Sequence, residues 1–257
     1  GEDYLQGGSG EDLIEGGLGR DQLHGEDGND HLIGGDEGVV VDDAAADLSG
    51  YFGAVDSSLV NGLGGAAGFG EQALARAPYG NVDIDIPTDF APDGWEIGDQ
   101  ILSTLTITSY GYVYLGDLAV AALYGDVDTS TGELAPSPGG NSTGSNLIWY
   151  DFDAATGTVT ITWDDVGRYY QGNVPNAYQL QLTAHGDGDF DVLFRYENVD
   201  WAGSGGYIET GDEWHEIPRP NDDGAAYDTA IGNLGQAGVW GYQVRDGQIL
   251  GTRTSGD

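Results

Sequence analysis

Asp3, Asp12, Asp21 and Asp30 recur every nine residues, each two places after a glycine: Gly1, Gly10, Gly19 and Gly28. Residues 1–36 divide into four nonapeptides, GEDYLQGGS, GEDLIEGGL, GRDQLHGED and GNDHLIGGD. A repeated glycine marks a tight turn, because glycine alone adopts positive φ at no steric cost. The aspartate after it puts a carboxylate at the lip of each turn, beside backbone carbonyls. That donor set is all oxygen, and hard oxygen donors in sets of six to eight suit Ca2+. Zinc chemistry has no support: cysteine is absent, the four histidines are scattered, and His215-Glu216 lacks the second histidine of a zinc helix.

The elements that position these carboxylates are thin. Each nonapeptide holds one periodic apolar residue, Leu5, Ile14, Leu23 or Leu32. One apolar residue in nine does not bury enough surface to offset chain entropy, and stacked aspartates repel one another. A divalent cation relieves both, so folding and metal binding should be one event. The repeat resembles the RTX calcium-binding family, G-G-x-G-x-D-x-U-x, whose strands wind into a parallel β-roll. The resemblance implies two repeats per coil, with Leu5 over Leu23 in one sheet and Ile14 over Leu32 in the other. It places the ions between turns two repeats apart, on a ligand set drawn from Gly1, Asp3, Gly8, Gly10, Asp12, Gly17, Gly19, Asp21, Asp27, Gly28, Asp30, Gly35 and Asp36. The most complete pair is 7–12 with 25–30, which makes Asp12 and Asp30 the leading ligands, although Glu26 stands where the second glycine belongs. Asp3 would pair with Asp21 across a turn in which the chain begins. Asp21 would next meet 34–39, where Val39 takes the aspartate position and only Asp36 can substitute.

Across all 257 residues, 44 acidic side chains face 7 basic ones, every one an arginine, for a formal net charge of −37. Such a surface excludes nucleic-acid phosphate and anionic membrane as natural partners. It suits bound calcium or a salty medium. No run of apolar residues is long enough to span a bilayer. A cysteine-free chain stapled by calcium points to a bacterial extracellular protein rather than to a disulfide-built secreted domain. Because the chain opens inside a repeat, it reads as a segment of something longer.

The organisation that follows is a β-roll over 1–38 and a larger antiparallel β domain over 39–257. Val39, Val40 and Val41 could add a last strand to the roll. Residues 56–80, rich in glycine and alanine, read as loop, with short helical turns at 59–63 and 71–76. Strand signals follow at 82–86, 101–108, 111–115, 118–124, 146–153, 158–163, 178–184, 190–196 and 239–244. Val82, Ile84 and Ile86 alternate with Asp83 and Asp85, and Val159, Ile161 and Trp163 face one way. Residues 154–157 and 185–189 read as hairpin loops. Strands at this spacing make a sandwich or a curled antiparallel sheet.

Within that stretch, DVDT at 126–129, TWDDVGRYY at 162–170, NAYQLQL at 176–182, FDVLFRYENVDW at 190–201 and IGNLGQAG at 231–238 resemble the NIDO (nidogen-like) family over roughly 100–240. The resemblance implies an extracellular adhesion module with no catalytic residues to carry over. The departures are the missing cysteines and the acidity.

Other candidates for chemistry are weaker. Gly140-Asn141-Ser142-Thr143-Gly144 fits the G-x-S-x-G of a nucleophile elbow but follows a proline-rich stretch and precedes a strand, so a flexible loop is expected. Asp126, Asp128 and Glu133 form D-x-D-x-x-x-x-E, whose oxygen donors permit calcium, but a solvated turn is the expected reading, as it is for Asp187 with Asp189 and for Asp222 with Asp223. Trp149, Trp163, Trp201, Trp214 and Trp240 could line a sugar-binding face, but sandwich core is the expected role for Trp163 and Trp201. The sequence thus predicts an all-β, non-catalytic, calcium-binding module of a secreted or surface-displayed bacterial RTX protein, exported by type I secretion, whose partner is a cell-surface or matrix glycan or protein. The alternatives are a polysaccharide or protein hydrolase carrying the repeats as a secretion signal, and a passive spacer.

Overall fold

The computed structural model describes residues 4–9, 13–15, 22–27, 31–33, 39–40, 48–78, 80–201, 205–210, 213–217, 226–245 and 247–251. The chain forms two compact units, Gly1–Ala54 with Leu250–Asp257, and Val55–Ile249.

In the first unit the strands are β1 (Tyr4–Ser9), β2 (Leu13–Glu15), β3 (Gln22–Asp27), β4 (His31–Ile33) and β5 (Val39–Val40), followed by a single turn of helix, α1 (Ser49–Phe52). The pairings among the described residues of this unit are parallel. β1 pairs with β3, Leu5 opposite Leu23, and β2 pairs with β4, Ile14 opposite Leu32. Each partner lies two nonapeptides along the chain, so two repeats make one coil, as the resemblance to RTX repeats implies. β5 pairs with β3, but Val39 lies opposite Gln22 and Val40 opposite Leu23. That is one residue short of the two-repeat step. Val39 is therefore a strand residue, not the corner that replaces an aspartate; the shortened step from β3 to β5 moves it there. Val41 lies outside the described residues.

The second unit holds β6 (Gln72–Ala73), β7 (Asn81–Asp85), β8 (Trp95–Ile97), β9 (Gln100–Leu102), β10 (Thr104–Thr108), β11 (Tyr112–Leu115), β12 (Leu118–Ala121), β13 (Val127–Asp128), β14 (Leu147–Asp153), β15 (Thr158–Arg168), β16 (Gln171–Gly186), β17 (Asp189–Val199), β18 (Tyr207–Thr210), β19 (Glu213–Glu216), β20 (Val239–Arg245) and most of β21 (Gln248–Leu250). A six-stranded sheet runs β19-β18-β12-β11-β10-β7. An eight-stranded one runs β21-β20-β17-β16-β15-β14-β6, with β13 pairing off this path on β15. Alternation on the smaller sheet buries Leu105, Ile107, Val113, Leu115 and Ile208. These join Val159, Ile161, Trp163, Leu180, Val192 and Phe194 of the larger sheet in one apolar core. Two antiparallel sheets that each bury one alternating face make a sandwich. Trp163 stacks on Tyr178 at 4.8 Å between centroids, and Tyr196 stacks on Tyr227 at 4.9 Å, in the middle of that core.

The larger sheet departs from simple alternation. Residues 159–167 of β15 are buried without a break, so both faces are covered. The outward face carries polar side chains that bond one another: Gln179 donates to Thr162 (2.7 Å), Gln181 to Thr160 (3.2 Å), and Arg195 to Gln181. Leu59 and Phe69 pack there against Trp149 and Ala177. The Gln179 amide both accepts from the Val60 N–H and donates to the Val60 carbonyl, each at 3.0 Å, imitating a strand pair. These bonds pin Val60 to the sheet, residues 63–70 close a turn through Leu63 N–H to the Gly68 carbonyl and Gly70 N–H to the Gly64 carbonyl, and neither expected helical turn forms. Gln72 and Ala73 instead pair with Tyr150 and Trp149 as an edge strand.

The run 101–108 is also not one strand. It breaks at Ser103, whose carbonyl accepts from the Ile86 N–H (2.9 Å). Residues before the break form a hairpin with β8, and residues after it enter the six-stranded sheet. β18 and β19 carry no strong apolar pattern in sequence; β19 is the edge strand of its sheet and β18 lies next to it.

Candidate functional site

In the first unit, β1 and β3 place Gly8 opposite Glu26 and Ser9 opposite Asp27. Gly8 and Asp27 both lie on described strands, Asp27 at the end of β3. Gly1, Asp3, Gly10, Asp12, Gly17, Gly19, Asp21, Gly28, Asp30, Gly35 and Asp36 lie outside the described residues. The strand register sets equivalent positions two repeats apart side by side, Leu5 on Leu23 and Ile14 on Leu32. Calcium takes oxygen donors such as carboxylates and carbonyls in flexible geometry.

The carboxylates of the second unit have a different use. Asp164 and Asp165 interrupt β15 at a bulge, where the register with β16 shifts between Trp163 and Val166 and Asp165 takes φ 50°. Both side chains are fully buried. Asp164 accepts from the amides of Thr143 (2.7 Å) and Ser145 (3.2 Å) and from the Thr143 hydroxyl. Asp165 accepts from the amides of Ser137 (3.1 Å) and Gly144 (2.8 Å) and from the Ser137 hydroxyl. From β17, Glu197 accepts from the amides of Leu59 (3.1 Å), Asn141 (2.7 Å) and Ser142 (2.8 Å). Three carboxylates thus strap residues 137–145 onto the sheet. The G-x-S-x-G segment is not a flexible loop. A Cβ on Gly140 would lie 1.9 Å from the Glu197 carboxyl carbon, so this glycine permits the close approach. Sequence reasoning did not assign Asp164, Asp165 or Glu197 a role. A paired acid breaking the apolar run after Trp163 was the available signal, and it marks the bulge.

The remaining candidates resolve in the same direction. Asp128 is buried and accepts from the amide (2.8 Å) and hydroxyl of Ser130, so it closes its own turn rather than facing solvent. Asp189 approaches Arg245 at 3.8 Å, and Asp187 takes φ 54° in a hairpin turn. Asp222 and Asp223 lie outside the described residues. Trp149, Trp163, Trp201 and Trp240 are all buried and cannot line an open sugar face. Trp214 lies on β19 opposite Glu209. His215 packs 5.1 Å from Tyr242, and among the described residues no three His, Cys, Asp or Glu side chains form a metal group.

Burial raises the carboxyl pKa of Asp165, with the Asp164 charge adding to it against opposing bonds from Ser137 and Gly144. Desolvation also raises Asp151, helped by Asp153 and Glu71, and raises Asp228. A carboxyl whose folded pKa lies above its unfolded value binds more protons when folded, so stability falls as pH rises through the interval between the two. Asp153 is shifted down by its bonds to Thr156 and Ala155 and acts in the opposite sense, but it is exposed. The second unit should therefore melt at higher temperature as pH is lowered from neutral toward the ordinary carboxylate range. All six tryptophans lie between Trp95 and Trp240, so the emission of the full chain followed against temperature reads this directly. A melting temperature that falls steadily over that interval would contradict it.

Residues 100–246 match the nidogen-like (NIDO) domain, more than half of the chain. The chain belongs to the nidogen-like domain family. Residues 1–37 match four copies of the RTX calcium-binding nonapeptide repeat. The match to NIDO spans β10 to β20 whole, which includes the aromatic core and the carboxylate strap, and RTX nonapeptides bind calcium ions. NIDO is an extracellular domain type, and no helix among the described residues is long and apolar enough to cross a membrane. No curated protein and no solved structure gives a significant match.

Proposed function

We propose that this chain is a non-catalytic adhesion module of a secreted bacterial RTX protein, in which calcium folds the repeats and the NIDO domain contacts a surface or matrix partner. The observation that carries the calcium half is the parallel pairing of Leu5 with Leu23 and Ile14 with Leu32 at a step of two repeats. Asp12 and Asp30 are the leading ligands, joined by Asp3, Asp21, Asp27, Asp36 and the corner glycines Gly1, Gly8, Gly10, Gly17, Gly19, Gly28 and Gly35. Low calcium inside the producing cell keeps the repeats unfolded and compatible with type I export, and higher calcium outside folds them. A non-catalytic NIDO domain is supported by Asp164, Asp165 and Glu197, whose carboxylates are occupied by backbone amides.

Replacing both ligands in Asp12→Ala/Asp30→Ala should weaken calcium binding by at least about tenfold, because affinity follows ligand charge count. Calorimetric titration of the calcium-stripped chain checks this, and unaltered affinity counts against the assignment. For the adhesive half, the calcium-loaded chain is applied to immobilised matrix proteins, glycans and intact cells. Retention on none of them favours a spacer.

A further inference from the structure

The outer face of the six-stranded sheet is not a plain solvated surface. Strand register lays two rows across it. One runs Asp83, Thr106, Tyr114, Ala119, Glu209. The other runs Tyr112, Ala121, Tyr207, Glu216. Ala119 and Ala121 are buried, so small residues floor the middle of the face between taller neighbours on both sides. Tyr112 gathers three rings around it, Tyr124 at 5.1 Å, Tyr207 at 5.6 Å and Tyr114 at 5.9 Å between centroids. Burial, then the hydroxyls of Tyr207 and Tyr124, raise the Tyr112 pKa, so the phenols stay neutral and hold one another in place. Tyr114 is 40% exposed and Tyr124 is 36% exposed. Asp83, Asp85 and Glu209 stand exposed on the same face.

Tyrosine rings present a negative quadrupole, and here they are rimmed by carboxylates on a chain of charge −37. The described arginines have partners other than Tyr114 and Glu209. Arg76 bonds the carbonyls of Thr129, Ser145 and Asn146; Arg168 lies over Trp201; Arg195 bonds Gln181; and Arg245 pairs with Asp191. Tyr114 and Glu209 flank Ala119 from the strands on either side of it. Strands lie about 4.8 Å apart, so a guanidinium seated over Ala119 would meet both the ring and the carboxylate.

We propose that this face binds an arginine- or lysine-rich segment of a partner protein, seated over Ala119 and Ala121, with Tyr114 and Glu209 as its main anchors. The inference rests on the reading of the NIDO domain as the partner-contacting part and names that partner's chemistry. Charge complementarity favours a basic polypeptide over a neutral glycan: carboxylates accept hydrogen bonds from sugar hydroxyls too, but only a cation also gains from the field of a chain of charge −37.

The test titrates the calcium-loaded full chain with a synthetic peptide alternating arginine and serine, with the same peptide carrying citrulline in place of arginine, and with chitohexaose. The arginine peptide should bind, more weakly as salt rises, and the citrulline peptide should bind at least about tenfold more weakly. Tyr114→Ala and Glu209→Gln should each weaken the arginine peptide several-fold, and together about tenfold or more. Asp93→Asn/Asp187→Asn removes charge elsewhere and should change affinity less than about twofold. Glu209→Gln alters no core residue, so it keeps the test valid if Tyr114→Ala folds poorly. Equal binding of the citrulline peptide, equal loss in the control variant, or binding of chitohexaose instead each overturns the proposal. Retention on matrix or cells that survives Tyr114→Ala/Glu209→Gln overturns this face while leaving adhesion standing; a chain that binds the peptide but no surface does the reverse.

Discussion

Chelating calcium from the full chain should abolish the far-ultraviolet signal of the parallel strands and leave the tryptophan emission of the NIDO domain unchanged. The two readouts separate because no tryptophan lies in residues 1–54 and all six lie in 95–240. The β1–β5 coil has one periodic apolar residue per repeat, and of these Ile14 is buried while Leu5 is only half-buried. Calcium present at ~100 times its Kd contributes about 2.7 kcal/mol per site through mass action. For a coil with so small a core, that is enough to decide between folded and unfolded. The NIDO domain has its own continuous apolar core, built from both sheets, and needs no ion for it. Circular dichroism and emission recorded on one sample, with EDTA and then with excess Ca2+, test this. A circular dichroism spectrum indifferent to EDTA sinks the calcium-folding argument, and emission that shifts in step with it sinks the independence of the NIDO core.

Glu197→Ala should lower the melting temperature of the NIDO domain by several degrees. The substitution leaves the amides of Leu59, Asn141 and Ser142 without their acceptor. Leu59 and Ser142 are buried, whereas the Asn141 bond is exposed. Each buried amide left unpaired costs about 1–3 kcal/mol, so a total of about 3 kcal/mol is expected. At about 2–4 °C per kcal/mol for a domain of this size, the shift is about 6–12 °C. Glu197→Gln keeps one acceptor oxygen and should fall between the two. Tryptophan emission against temperature, in calcium, measures all three proteins. A shift under about 2 °C for Glu197→Ala means that the strap does not stabilise the domain.

The strap also shows where reading the sequence reached its limit. Gly140-Asn141-Ser142-Thr143-Gly144 looks like a loop because nothing local to it is apolar or periodic. What holds it are carboxylates 21 and 55 or 56 residues away along the chain. The same distance hid the path of the chain at Val60, held by Gln179 at a separation of 119. Alternation failed on β15 for a related reason. Its polar face is covered too, so Thr160 and Thr162 are buried through hydrogen bonds rather than through hydrophobicity.

The nine-residue cadence, by contrast, was legible by itself. A fixed period forces equivalent residues into equivalent places, so glycine, aspartate and one apolar position per repeat pointed to a calcium-dependent repeat, and the resemblance to RTX repeats supplied the two-repeat coil that pairs Leu5 with Leu23. The aromatic and β-branched runs likewise narrowed the larger domain to a sandwich or a curled antiparallel sheet, because burying one face of each strand leaves few other arrangements. Only the tertiary structure decided which acids bind backbone and which face solvent, that Val39 enters a strand one residue early, and that Tyr112, Tyr114, Tyr124 and Tyr207 converge on one outer face. These depend on which strands become neighbours. Pairing between strands far apart in the chain is fixed by the packing of the whole core, and no local pattern encodes it.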